Sequence, residues 1–350
     1  EEMARGVKAF KFEPDGPVLT QNSEQRTIRY LDKRTQHFRV LLFQYRILVF
    51  FKTTITAAML LVGSILLLDQ QLNIGQFIAA EIVILIVIGA VEKLIGNLDS
   101  VYDVLTSVDK MAKLTEKPEE QSGRLPMPWR KEGITIELQQ LRFGFHPEQK
   151  ILEDVNGRIP SGGKACITGP GGSGKSTLLQ LMGGIYTDFE GGLLYDGIPI
   201  ANYQIDTLRA QIGISLSGQH IFQGSVWENV TMGRTDITIE ELMEWTVALR
   251  FDKQLQEWPL GWDTPLSPLG SHLSGSTIRK ILLLRAMAKK PRLLLLEEPW
   301  RGCGEADRKA IQDLLLHLPD SITVVVVTSD ADFVARCPIR IELNPASTNA

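Results

Sequence analysis

Residues 169–176 read Gly-Pro-Gly-Gly-Ser-Gly-Lys-Ser, and the stretches on either side decide what they are. Lys164-Ala-Cys-Ile-Thr168 before them has the apolar character of a short buried strand. Thr177-Leu-Leu-Gln-Leu-Met182 after them has helical spacing. Strand, glycine-rich turn and helix together are the setting of a phosphate-binding loop rather than of a flexible connection. Gly169, Gly171, Gly172 and Gly174 let the backbone curl, so that N–H groups of the loop, of Ser173 and of Thr177 converge on phosphate oxygens, and the helix N-terminus adds its positive dipole end. Lys175 is placed to reach the β- and γ-phosphates and the Ser176 hydroxyl to ligate Mg²⁺. The expected ligand is a nucleoside triphosphate.

With 350 residues the chain has room for two domains, and its 44% hydrophobic residues are unevenly spread. A net charge of −4 and the lack of a long basic run give no reason to expect nucleic acid. Cys166, Cys303 and Cys337 are far apart in sequence, which argues against a zinc site or a disulfide scaffold and fits a reducing compartment. The first residues, Glu1 to Phe10, read as the middle of a helix, so the N-terminus is expected to be cut from a longer chain.

Residues 47–68 carry one charge, Lys52 near one end, and are long enough to cross a bilayer with that lysine at the interface. A polar turn, Asp69-Gln-Gln-Leu-Asn73, leads to a second apolar stretch at about 74–95. Lys33, Arg34, Arg39, Arg46 and Lys52 precede or open the first span while the turn has no basic residue, which puts the turn outside and both ends in the cytoplasm. Membrane lipid is thus an expected partner. Glu81 lies within the second span; it reads as a pathway residue for substrate or protons, or as an interhelical hydrogen bond or a wet position near the outer interface. Residues 18–46 and 96–116 read as helical continuations, and 119–133, with Gly123, Pro126 and Pro128, as an interdomain linker.

From Ile134 onward the order of motifs, phosphate loop, Leu273-Ser-Gly-Ser276, then Leu293-Leu-Leu-Leu-Glu-Glu298, resembles the nucleotide-binding domain of ATP-binding cassette (ABC) transporters. Two membrane helices running into such a cassette resemble the last third of the membrane domain plus the cassette of an exporter half-transporter. On this likeness residues 1–17 follow a cytoplasmic coupling helix and earlier membrane helices precede the chain. The implied fold is an α/β P-loop NTPase cassette (RecA-like core, antiparallel β subdomain, helical subdomain) after an all-α membrane hairpin. The implied domains are 1–118 in the membrane unit, the linker at 119–133, the cassette at 134–346 and a tail at 347–350. The resemblance implies ATP and Mg²⁺ as ligands and an integral-membrane location, the bacterial inner membrane, with the cassette in the cytoplasm.

The resemblance also assigns roles. Phe145 stands where an aromatic ring stacks on adenine, although a strand core residue is an equal reading. Glu297 takes the place of the usual Mg²⁺-associated aspartate, one methylene longer, and Glu298 that of the catalytic base. Ser274, Gly275 and Ser276 stand in the signature segment that meets the γ-phosphate held by a partner cassette, with Ser276 adding a side chain where the backbone usually approaches phosphate.

Other positions depart from the pattern. Ser217 occupies the place of the domain-coupling glutamine, and Gln219, two residues on, sits about 7 Å along an extended segment. Ser329 replaces a histidine and cannot carry its charge. Arg301-Gly-Cys-Gly304 replaces the Ser-Ala-Leu-Asp loop, with Gly304 in place of the aspartate. The expectation is an ATP-binding exporter subunit whose own site hydrolyses slowly. A second half-transporter is the expected partner, as a heterodimer before a homodimer, because a homodimer carries every departure twice. The alternatives are a non-hydrolysing, ATP-gated regulatory subunit of a heterodimeric complex and, if the hairpin were a soluble core, a kinase or motor. The sequence leaves the exported substrate open.

Overall fold

The computed structural model describes residues 17–117, 119–146 and 149–344. The segment expected to follow a coupling helix, up to residue 16, and the tail at 347–350 lie outside the described residues. The chain divides into two compact units after residue 118.

The first unit is a helical hairpin. Helix α1 (Pro17–Leu68) and helix α2 (Ile74–Thr115) have 52 and 42 residues. At 1.5 Å per residue α1 is about 78 Å long, more than twice a bilayer core, so its polar half extends beyond any span. Both helices are long and apolar enough to cross a membrane, with windows of mean hydropathy 1.8 and 2.4. Asn73 and Gln76 form a reciprocal cap that starts α2: the Gln76 N–H donates to Asn73 Oδ1 at 2.8 Å and the Asn73 N–H to Gln76 Oε1 at 3.0 Å. Where the helices meet near the turn, a Cβ on Gly63 would come within 2.2 Å of the Phe77 ring. Lys52 is not alone at its end of the hairpin. Its ammonium lies 2.9 Å from Glu92 of α2, a pairing available to two antiparallel helices that carry opposite charges at the same end.

Glu81 is half-buried and shares its stripe with Ile84, Ile88 and Val91 at helical spacing. It lies seven residues into α2, about 10 Å from the turn, and has no ion pair among the described residues.

The second unit is the cassette. Five strands, β3 (Lys164–Thr168), β6 (Ile212–Ser215), β9 (Leu293–Glu297), β10 (Thr323–Val327) and β11 (Ile339–Glu342), make a parallel sheet in the order β11-β3-β10-β9-β6. Such strands are covered on both faces, so they read as unbroken apolar runs rather than alternating ones. Leu293–Leu296 and Val324–Val327 are accordingly buried throughout. Strands β1 (Ile136–His146), β2 (Gln149–Ile159), β4 (Glu190–Tyr195) and β5 (Ile198–Pro199) form a separate antiparallel sheet ordered β2-β1-β4-β5. Helix α3 (Lys175–Met182) follows the phosphate loop, and α4 (Ile205–Ala210) precedes β6. A helical subdomain contains α5 (Val226–Thr231), α6 (Ile239–Ala248), α7 (Asp252–Glu257) and α8 (Gly275–Ala288), with the short β7 and β8 (Gly224–Ser225, Pro265–Leu266) between. Helices α9 (Glu305–Leu316) and α10 (Ala331–Arg336) complete the core. RecA-like core, antiparallel subdomain and helical subdomain are therefore all present.

Residues 119–133, expected as a linker, are bound to the cassette as a strap. Arg209 of α4 donates to Glu120 Oε2 at 2.7 Å and holds that carboxyl below the usual glutamate range. Leu125 bridges to Tyr203, the Gln204 N–H donates to Leu125 O at 2.8 Å, and Met127 is buried. Gly123 lies so close to Asn202 that a Cβ would sit 2.2 Å from its carbonyl carbon. The prolines fix an extended path without backbone donors to satisfy, which reads as a linker in composition and serves as a strap in structure.

Arg292, at the entry to β9, is almost fully buried. It donates to Asp196 Oδ2 at 2.8 Å, Gln211 Oε1 at 3.0 Å and the carbonyl of Glu132 at 2.7 Å, joining both sheets and the end of the strap. The cysteines that are distant in sequence are not all distant in space. The Cys337 thiol donates to Lys164 O at 3.4 Å, which sets it against β3, the strand that carries Cys166.

Candidate functional site

The phosphate loop leaves the C-terminal edge of β3 and ends at Gly174, the N-cap of α3. Gly174 has a left-handed φ of 82°, and a Cβ there would fall 2.6 Å from Leu152 Cδ2 of β2. At the loop's start a Cβ on Gly169 would fall 2.4 Å from the carbonyl oxygen of Leu343 and 2.7 Å from Ser173 Oγ. Packing around the loop thus demands glycine at both ends. Its middle is open instead: around Gly171 and Gly172 a Cβ would meet nothing within 4 Å. Ser173 is buried and, among the described residues, its hydroxyl has no hydrogen-bond partner. An orphaned buried hydroxyl beside an open cradle of backbone N–H groups is the chemistry of an anion site. The Lys175 ammonium donates to the carbonyls of Gly169 at 2.8 Å and Pro170 at 2.6 Å, across the loop it serves. Thr177 lies in the first turn of α3.

Ser176 and Glu297 come together as the sequence suggests. The Ser176 hydroxyl donates to Glu297 Oε1 at 2.5 Å, and the Ser217 backbone N–H donates to Glu297 Oε2 at 2.8 Å. The extra methylene of Glu297 lets one carboxylate span the loop helix and the segment after β6. One hydroxyl and one carboxylate beside a phosphate cradle suit Mg²⁺, which takes phosphate and water oxygens for its remaining positions. Among the described residues no group of three or more His, Cys, Asp or Glu forms an all-protein metal cage.

Glu298 follows at the strand edge with a left-handed φ of 42°. Its N–H donates to Val327 O at 2.9 Å. Its Oε1 accepts from the Ser329 N–H at 3.1 Å and from the Ser329 hydroxyl at 3.3 Å, and its Oε2 from the Thr328 hydroxyl at 3.3 Å. A carboxylate has about four acceptor positions, so this clamp leaves one for a water. The residue in the histidine position therefore grips the acid itself. Thr328 escaped the sequence reading because nothing but its place before Ser329 marked it.

Phe145 is 51% exposed, which excludes the strand-core reading. Its ring meets Phe143 and Tyr186 edge-on at 5.2 and 5.4 Å. Phe143 pairs with Leu152, the residue against Gly174, so the aromatic group flanks the loop. Tyr186 carried no signal in the sequence beyond its aromatic type.

In the signature segment Ser274 caps α8, accepting from the Thr277 N–H at 3.1 Å. The Ser276 hydroxyl donates to Asp307 Oδ2 at 3.0 Å, and the Lys280 ammonium lies 2.9 Å from the same carboxylate. Burial works against the Asp307 charge, but Lys280, Ser276 and Arg250 hold its carboxyl below the usual aspartate range. Ser276 is thus tied to its own chain, and among the described residues no hydrogen bond joins 274–276 to the phosphate loop. Arg301 donates its N–H to Glu298 O at 3.0 Å. Gly304 begins α9 without a side-chain cap.

Residues 152–301 match the family model described as ABC transporter. The chain is 33% identical over 188 residues to the mitochondrial iron-sulfur clusters transporter ATM1 of Saccharomyces cerevisiae, covering 54% of this chain and 27% of that protein. It is 26% identical over 276 residues to the uncharacterized ABC transporter ATP-binding protein YwjA of Bacillus subtilis, covering 78% and 48%. The chain therefore spans between a quarter and a half of these relatives. In fold it matches a solved bacterial Atm1-family ABC exporter with a TM-score of 0.89, at 18% identity, over 98% of this chain and 61% of that one. Phosphate loop, acidic pair, signature helix and sheet order agree with these likenesses, and over residues 152–301 the chain matches the ABC transporter family.

Proposed function

We propose that this chain is part of an exporter half-transporter whose own nucleotide site binds ATP and cleaves it slowly. Residues up to 118 form part of the membrane domain, 119–133 connect it to the cassette, and 134–346 form the cassette, on the cytoplasmic side of the membrane. The phosphate loop with Lys175 binds the triphosphate, Phe145 faces the base, and Glu298 takes a proton from the attacking water while orienting it. Ser176 and Glu297 are the residues for Mg²⁺, which when bound neutralises charge on the phosphates. The signature residues 274–276 serve the nucleotide of a second half-transporter. A heterodimer is favoured because Ser217, Ser276, Arg301, Gly304 and Ser329 would all recur in a homodimer. Sequence likeness to ABC transporters supports the transport role; the exported substrate stays open.

The observation that carries the slow-site reading is the clamp on Glu298. A histidine in place of Ser329 would direct positive charge at the γ-phosphate, whereas the serine spends its hydroxyl and N–H on the acid. One missing transition-state donor costs about a hundredfold in rate. In the full-length protein in lipid vesicles, Ser329→His is expected to raise phosphate release about tenfold or more, and Glu298→Gln to remove it. The same clamp also favours a second reading, a non-hydrolysing ATP-gated regulator. On that reading Ser329→His leaves turnover at background and the protein retains uncleaved ATP.

A further inference from the structure

The edge of the core sheet opposite the phosphate loop holds a cavity of about 430 Å³, within the range of roughly 300–1,000 Å³ seen for small-ligand sites. Three parts of the cassette wall it: Trp129 on the strap, Trp245 on α6 with Met287 at the end of α8, and Leu318 with Ile322 before β10. None of the lining residues is acidic. Four are cationic, and two of those are already neutralised: Lys290 by Glu241 at 2.5 Å and Arg292 by Asp196 at 2.8 Å. Arg130 and Lys131, neighbours on the strap, have no ion pair among the described residues and are exposed. Trp129 beside them leaves 61% of its surface in water.

We infer that this cavity is a binding site for a small anionic amphiphile, with its apolar body inside and its acid group on Arg130 and Lys131. An apolar ligand removes the indole and aliphatic walls from water, the term that dominates such sites. Two adjacent uncompensated cations at the rim add attraction for an anion and repel a cation, so charge selects among apolar ligands. The cavity shares no residue with the nucleotide site, so it stands or falls independently of the ATP chemistry proposed above. An occupant touches the strap, α6 and the approach to β10 together.

The test uses the full-length protein in lipid nanodiscs and a photoreactive probe, a trifluoromethyl-diazirinyl benzoate, followed by peptide mapping. Adducts are expected on the peptides carrying Trp129 and Trp245. Two exposed ion contacts together amount to about a fivefold difference in binding, so the uncharged methyl ester of the probe should label these peptides about fivefold less. The variant Arg130→Ala/Lys131→Ala, altered only at exposed side chains, should show the same loss with the acid probe. Absence of adducts at these peptides, equal labelling by the ester, or undiminished labelling of the double variant would each overturn the proposal.

Discussion

Lys175→Ala is expected to abolish useful nucleotide binding while leaving the cassette folded. The ammonium sits across the open loop, 2.8 and 2.6 Å from two carbonyls of the same turn, and nothing else in the loop carries positive charge. Hydrogen bonds to a charged group contribute about 1.5–3 kcal/mol each. Losing two of them toward phosphate weakens ATP about a hundredfold or more. In the protein without nucleotide the same bonds close on solvent-accessible carbonyls, which water replaces, so the melting temperature should shift by only a few degrees. Titration with a fluorescent ATP analogue, paired with thermal unfolding, checks both halves. Retained affinity would mean that the loop is not the phosphate cradle.

Arg292→Ala is expected to be the most destabilising single change in the cassette. Its guanidinium is buried and holds Asp196, Gln211 and the Glu132 carbonyl at once. Removing one partner of a buried pair costs about 3–5 kcal/mol because the other charge stays behind without compensation. Against a typical total of about 5–15 kcal/mol, that loss is large. Denaturant unfolding followed by tryptophan emission measures it, and a change under about 1 kcal/mol would place the corner outside the cooperative core. Asp196→Asn, which keeps an acceptor for Arg292, should cost less.

These two residues mark the limits of what the sequence discloses. Lys175 lies in a contiguous pattern whose chemistry is local, as do Ser176 and the acids at the end of the Leu293–Leu296 run, so the sequence alone marks where each stands. Arg292 lies in an ordinary Pro-Arg-Leu stretch, and its importance arises from three segments distant in sequence. The strap shows the same limit: composition reports that 119–133 lacks a helix or strand, not that Tyr203 and Gln204 bind it. Ser217 is instructive in another way. Its side chain differs from the expected glutamine, yet the contact it makes with Glu297 uses the backbone N–H, which no residue choice short of proline removes. The Ser276 hydroxyl is drawn back by Asp307, thirty-one positions on, a contact that the signature segment alone does not disclose.

The backbone of Glu298 has a further consequence. A glutamate held at a φ of 42° occupies a region that costs an ordinary L-residue about 1–2 kcal/mol, while asparagine and glycine enter it readily. Glu298→Asn should therefore make the cassette more heat-stable as it makes it inert. A cassette serving only as a scaffold would drift toward that relaxed residue. If Glu298 has the role proposed for it, a long carboxylate kept at a twisted strand exit, with Thr328 and Ser329 arranged to receive it, is a place where activity and stability pull in opposite directions.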